Sequence, residues 1–172
     1  MKPFPANEPF KLSMRVESSL WAAWQKLADD KRHDPVDFIK MTMIEKVTRA
    51  NPPVLEPIEV ERLERLARLI QKVIEIVVRL DTDGKFSEHI TLHVFQAAMA
   101  DDNFRRDYTA HIGGADPYVH GNPLKEVNRE LGRSIKNALR ADVVKDERGE
   151  TVEQRNLKGE VIQSYTLLKR RG

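Results

Sequence analysis

The chain contains no cysteine. Disulfide bonds, thiolate chemistry and cysteine-type zinc sites are therefore excluded, and any metal site would depend on histidine and carboxylate ligands. Long apolar runs are also missing, because the most apolar segment, residues 70–80, carries Gln71, Lys72, Glu75 and Arg79. The N-terminal stretch MKPFPANEPF lacks the apolar core of a signal peptide. We therefore expect a cytoplasmic chain with no membrane partner.

Net charge is small, but it is unevenly distributed. Residues 1–50, 51–120 and 121–172 contain 9, 8 and 12 lysines and arginines against 7, 12 and 8 acidic residues, which gives net charges of +2, −4 and +4. Both ends are thus basic and the middle is acidic. This distribution permits a polyanionic partner at the ends of the chain.

No set of residues has the pattern of a catalytic site. Ser164 and Thr166 lie in a predicted strand without an obvious base, and no glycine-rich phosphate loop follows a strand. His89 and His93 are spaced by one helical turn, which is suitable for metal ligation, but no further ligand set accompanies them. We therefore expect no enzymatic activity, no cofactor and no metal.

Proline-rich breaks and hydrophobic periodicity divide the chain into segments. The sequence predicts a flexible arm at 1–10, a domain at 11–50, a proline-rich linker at 51–57, a helical region at 58–112, and a module of a helix plus a β-hairpin at 113–172. The expected fold class is mainly α, with a small α/β module at the C-terminus.

The stretch KLSMRV, residues 11–16, alternates polar and apolar side chains, as a half-buried strand does. Two predicted helices follow it, and no strand follows until the C-terminal module, so the strand lacks a partner. Pairing with the same strand of a second chain would supply one and would form an intertwined dimer. The predicted dimer core consists of Leu12, Met14, Val16, Trp24, Phe38, Ile39 and Met43.

Residues 11–49, beginning KLSMRVESSLWAAWQKLADDKRHDPVDFIKMTMIEKV, resemble the ribbon-helix-helix family of dimeric DNA-binding proteins, which includes the MetJ, Arc and CopG-like branches. The resemblance implies an N-terminal ribbon-helix-helix fold that reads the DNA major groove with a two-stranded β-ribbon. It places base reading at Lys11, Ser13 and Arg15. It places phosphate contacts at Asp34, Pro35 and Val36, the start of the second helix, with Lys31 and Arg32 beside them.

Two further helices carry regular side-chain patterns. Apolar residues of the segment 58–80 recur in a heptad pattern, which favours a helix packed in a bundle and leaves open a coiled coil that would join chains into a higher-order assembly. A helix beginning near Pro123 carries a second basic stripe, for which solvation and DNA phosphate contact both remain open. The members of this stripe are Lys125, Arg129, Arg133, Lys136 and Arg140.

These patterns together favour a homodimeric, sequence-specific double-stranded DNA-binding protein that acts as a transcriptional regulator, most simply a repressor. Plasmid partition, an accessory role in DNA transfer, and an antitoxin whose C-terminal part binds a toxin protein are alternatives with the same DNA-binding domain. An adaptor that binds only proteins, and whose ribbon serves only to dimerise, is the alternative without DNA.

Overall fold

The computed structural model describes residues 15–50, 56–119 and 122–171. The helices in these ranges are α1 (Ser18–Asp30), α2 (Pro35–Ala50), α3 (Pro57–Thr82), α4 (Ile90–Met99), α5 (Asp102–His111) and α6 (Asn122–Ala138). The strands are β1 (Asp142–Val143), β2 (Glu153–Arg155), β3 (Ser164–Thr166) and β4 (Leu168–Lys169). None of the helices is long and apolar enough to cross a membrane.

Helix α3 lies at the centre of the fold and packs against α2, α4, α5 and α6. Its apolar stripe is wide enough to contact several neighbours at once, and Ile70, Val73 and Val77 of the predicted heptad seam are buried in the core of the chain. The seam therefore packs within one chain, as a bundle helix does.

Helix α6 is strongly two-sided. Leu124, Val127, Leu131 and Ile135 recur at spacings of 3, 4 and 4 residues and are all buried, so one side of α6 packs onto α3 and α4. The cations of α6 occupy positions between these apolar residues. Burial of one side therefore determines which side of α6 carries charge at the surface.

The C-terminal segment forms two small antiparallel pairs. Strand β1 pairs with β4, and β2 pairs with β3 through the partners Glu153 with Thr166 and Arg155 with Ser164. Such short strands are not stable alone, and they are held because buried side chains anchor them to the helical core. These anchors are Val161, Ile162, Tyr165 and Leu168.

The predicted fold class is wrong in its N-terminal part. The first regular element among the described residues is α1, which begins at Ser18, and all strands lie between Asp142 and Lys169. Arg15 and Val16 belong to no strand. Lys11, Leu12, Ser13 and Met14, which carry most of the predicted ribbon, lie outside the described residues.

The physical reason for this difference between prediction and structure is the packing of α2. The sequence predicts Phe38, Ile39 and Met43 of α2 in the core of an intertwined dimer, whereas the structure packs α2 against α3 of the same chain. Two polar contacts join α2 to α6: Lys40 forms an ion pair with Glu130, and Asn137 Nδ2 donates to Asp37 Oδ2 at 2.8 Å. Helices α1 and α2 are therefore part of a larger helical unit.

The aromatic residues of the predicted dimer core make contacts within the chain. Trp24 Nε1 donates to the carbonyl oxygen of Pro35 at 3.0 Å, and the rings of Trp24 and Phe38 lie 4.9 Å apart. Trp24, Phe38 and Ile39 are half-buried, and Met43 and Val16 are exposed. These contacts hold α1 on the first turn of α2.

Burial lowers the pKa of two histidines, and stability should therefore depend on pH. Desolvation lowers the pKa of His33, with Asp37 opposing and Lys31 adding to the effect, and desolvation followed by Arg62 and Arg65 lowers that of His111. The unfolded chain takes up these protons first as the pH falls below about 6.5, so folding stability is full above that pH and is lost below it.

We expect the melting temperature to fall between neutral and mildly acidic pH, and the variant carrying both His33→Gln and His111→Gln to show a smaller fall. The matched control is His93→Gln, because His93 is exposed. Equal pH dependence in all three proteins would contradict the assignment.

Candidate nucleic-acid interface

The exposed side of α6 carries a row of four cations, which we call the α6 row: Lys125, Arg129, Arg133 and Lys136. Successive members are 4, 4 and 3 residues apart, so they lie on one side of the helix. Lys125, Arg129 and Arg133 are exposed, and Lys136 is half-buried. Among the described residues, Lys125, Arg129 and Lys136 have no carboxylate within ion-pair distance.

The third member of the row is only weakly neutralised. Arg133 Nη1 lies 3.8 Å from Glu130 Oε2, and the same carboxylate also pairs with Lys40. Exposed ion pairs of this length contribute little. The α6 row therefore keeps most of its positive charge.

The α6 row lines one side of an open cleft of about 540 Å³. The other side is formed by the segment around β3, which contributes Gln163, Ser164 and Thr166. Buried apolar side chains also line the cleft, namely Phe95, Leu124, Val161, Ile162 and Leu168. The cleft thus combines an apolar floor with a cationic side and a polar side that carries one carboxylate, Glu153.

Asn128 joins α6 to the segment that precedes β3, and it is itself held by Tyr108 of α5. Asn128 of α6 accepts from the Tyr108 hydroxyl at 2.7 Å and donates from Nδ2 to the carbonyl oxygen of Val161 at 3.2 Å. Desolvation by burial raises the pKa of Tyr108, so this hydroxyl stays a donor. The cleft is therefore pre-formed, which is typical of binding sites.

Gly132 lies in the middle of the cationic wall. A Cβ added at this position would meet no heavy atom within 4 Å, so the glycine faces open space. Glycine within a helix costs about 1 kcal/mol relative to alanine. No close backbone approach explains this cost, and the missing side chain widens the cleft.

Arg140, the fifth cation of the predicted stripe, does not join the α6 row. It lies beyond the end of α6 with a φ of 49°, and its Nη2 atom is 2.6 Å from Asp29 Oδ1 of α1. A left-handed residue ends the helical repeat, so the spacing rule no longer applies at this point.

The start of α2, where phosphate contacts were predicted, is occupied by its own cap. The Asp34 carboxylate accepts from the backbone N–H groups of Val36 at 2.9 Å and Asp37 at 3.3 Å. These are two of the donors that a phosphate would use. Lys31 is exposed, and Arg32 Nη1 lies 3.9 Å from Asp81. Phosphate binding at the start of α2 stays a prediction. Two of the backbone N–H donors that it would use already donate to the Asp34 carboxylate.

The three predicted base-reading residues are only partly described. Lys11 and Ser13 lie outside the described residues, and Arg15 is exposed in a segment without regular structure ahead of α1. Their role in base reading stays a prediction from the sequence.

The structure also adds residues that the sequence did not point to. Phe95 of α4 and the polar residues Gln163, Ser164 and Thr166 lie far in sequence from α6, and no local pattern joins them. Gly132 did carry a signal, because a glycine in the middle of an amphipathic helix is unfavourable unless its position has a reason.

The two histidines with metal-ligand spacing contact different neighbours. His89 Nδ1 lies 2.6 Å from the Tyr165 hydroxyl, and His93 Nδ1 lies 3.4 Å from Ser87 Oγ. Within residues 15–50, 56–119 and 122–171, no three potential metal-ligating side chains cluster together.

Comparison with known proteins identified no protein-family model, no curated protein and no solved structure that matches this chain.

Proposed function

We propose that the protein is a homodimeric, double-stranded DNA-binding protein that acts as a transcriptional regulator in the cytoplasm, with the α6 row contacting the phosphate backbone. The α6 row is the observation that carries the proposal. Lys125 and Lys136 are 11 residues apart, which corresponds to about 16 Å along a helix, or the rise of about five base pairs along the DNA axis.

The electrostatics of α6 support this partner. Because the row keeps most of its charge, each phosphate contact would release condensed counterions, which is the main source of affinity for DNA. The apolar side of α6 is buried in the core, so the row is held on a rigid element. The resemblance of residues 11–49 to a DNA-binding family is the reason to propose sequence specificity in addition.

A second surface supports the homodimer. We define the α1–α2 face as the exposed apolar residues Leu20, Leu27, Val36, Met43 and Val47. Leu20 is 60% exposed, Val36 64% and Met43 51%. Within α1, Leu20 and Leu27 are seven residues apart, as are Val36 and Met43 within α2, so each pair lies on one side of its helix.

Exposed apolar side chains concentrated on one helix pair are typical of an interaction site. A second copy is the partner we propose, because the same apolar patch on both chains makes a self-complementary two-fold contact. Such a dimer needs no shared β-ribbon. It also doubles the number of α6 rows, which suits a DNA site with two half-sites.

The salt dependence of DNA binding tests the proposal. A duplex that binds would first be selected from random sequences, and its dissociation constant would be measured over a range of salt concentrations. Arg129→Gln should weaken binding and reduce the steepness of log K against log salt by about 0.9, the value for one lost phosphate contact.

The matched control is Arg106→Gln, which removes an exposed arginine from α5. It should leave the slope unchanged. If both variants retain the wild-type slope, the α6 row does not contact phosphate. Absence of saturable DNA binding by the wild-type protein would contradict the function itself and would favour the protein-binding adaptor.

A further inference from the structure

We propose that the cleft between α6 and β3 binds a nucleotide-like small molecule, which has a planar or apolar body and carries more than one phosphate. This site is an addition to the DNA-binding function and does not rest on it. The proposal is carried by the size, the floor, the charge and the polar edge of the cleft.

The size and the floor suit the body of such a ligand. The volume of about 540 Å³ lies within the range of small-molecule sites. Phe95, Val161 and Ile162 form an apolar floor beneath the cleft, and a nucleobase would contact the small part of each residue that is exposed. A ligand that consisted only of charge would leave this lining unused.

The charge of the lining suits a polyphosphate. Four cations face one carboxylate, that of Glu153, which gives the lining a formal charge of +3. Glu153 forms an exposed ion pair with Arg155 at 3.0 Å, and the four cations outnumber this carboxylate. Clefts lined by one sign of charge concentrate ions of the opposite sign. A diphosphate or triphosphate would match several members of the α6 row at once.

The wall opposite the cations supplies neutral hydrogen-bonding groups. Gln163 and Ser164 are exposed, and Thr166 is half-buried. Their side chains form no hydrogen bond to another described residue, and they therefore remain available to the edge of a base or a sugar. Because the cations lie on α6 and the single carboxylate, Glu153, lies beside Thr166 on the opposite wall, the ligand has one favoured orientation, with phosphates towards α6 and the body towards β3.

Gly132 provides the experimental handle, because a larger side chain there would fill the cleft and leave every charge in place. The probe is ATP carrying a fluorescent label on the ribose, titrated against the full chain. We expect saturable binding. The dissociation constant should stay within about twofold of the wild-type value in Gly132→Ala. It should rise about tenfold or more in Gly132→Phe, because a side chain that fills the cleft removes contacts that contribute to affinity. Melting temperatures would confirm that each variant folds.

Two competition measurements distinguish the contribution of the phosphates from that of the nucleoside. Inorganic triphosphate and adenosine should each displace the labelled ATP far less effectively than ATP does. Wild-type affinity in Gly132→Phe, displacement by inorganic triphosphate equal to that by ATP, or no saturable binding of the probe would overturn the proposal. If Gly132→Phe fails to fold, Ser164→Tyr fills the cleft from the opposite wall and decides the same question.

The same variants distinguish this site from DNA binding. Gly132→Phe retains all four cations, so the salt slope of DNA binding should stay that of the wild type. Nucleotide binding without DNA binding would contradict only the proposed function. DNA binding without nucleotide binding would contradict only the nucleotide site.

Discussion

Replacing Leu131 with alanine is expected to lower the free energy of unfolding by about 2 to 5 kcal/mol, the range for a leucine truncated in a packed core. Leu131 is fully buried in the middle of α6, with Val127 and Ile135 buried on either side along the helix. Because the side of α6 that packs on α3 also determines where the α6 row points, this variant tests the arrangement on which the candidate site depends. Chemical denaturation would measure the change.

The control is Ile58→Ala, at a side chain that is 74% exposed at the start of α3. It should change the free energy of unfolding by no more than about 0.5 kcal/mol. Similar losses in the two variants would mean that α6 is not packed into the core, and the candidate site would lose its basis.

Replacing Leu20 with glutamate is expected to convert the proposed dimer into a monomer. Leu20 belongs to the α1–α2 face, and a two-fold contact through this face would bury two copies of the new carboxylate. Like charges brought together in an interface cost several kcal/mol, which is enough to dissociate a dimer of ordinary affinity. Sedimentation of the wild-type chain should give about twice the 19.8 kDa mass of one protomer, whereas the variant should sediment as a single protomer.

Ala22→Glu provides the matched control, because it adds the same charge to the same helix. Ala22 is exposed, and two residues of helix separate it from Leu20 by about 200°, so it lies on the opposite side of α1. This variant should remain dimeric, and a cooperative melting transition in each variant would show that both fold. A wild-type chain that sediments as a monomer at every concentration would contradict the dimer, as would equal dissociation in the two variants.

Local sequence signals predicted two of the helices, α2 and α6. The second helix was expected to start at residues 34–36, and α2 begins at Pro35 with the Asp34 carboxylate capping it, as suits a proline in the first turn. The apolar spacing after Pro123 indicated an amphipathic helix, which is α6. Both signals act within one or two helical turns, so the sequence contains all that is needed to interpret them.

The N-terminal prediction was wrong because it depended on a choice between partners. An apolar helix such as α2 must bury its surface, but its composition does not say against what. Packing on α3 of the same chain is a second solution beside packing across an intertwined dimer, and it leaves Val36, Met43 and Val47 exposed. The ribbon-helix-helix expectation treated one of these solutions as the only one.

The candidate site likewise combines a feature that the sequence predicted with features that only the tertiary structure shows. The sequence by itself determined the row of cations on α6, because helical spacing is a local property. Only the tertiary structure decided that Arg140 pairs with Asp29, that Gly132 opens onto a cleft, and that the segment around β3 forms the facing wall. The physical reason is that a side chain's periodicity is set by its own helix, whereas its neighbours across a cleft are set by how the apolar surfaces of distant segments pack together.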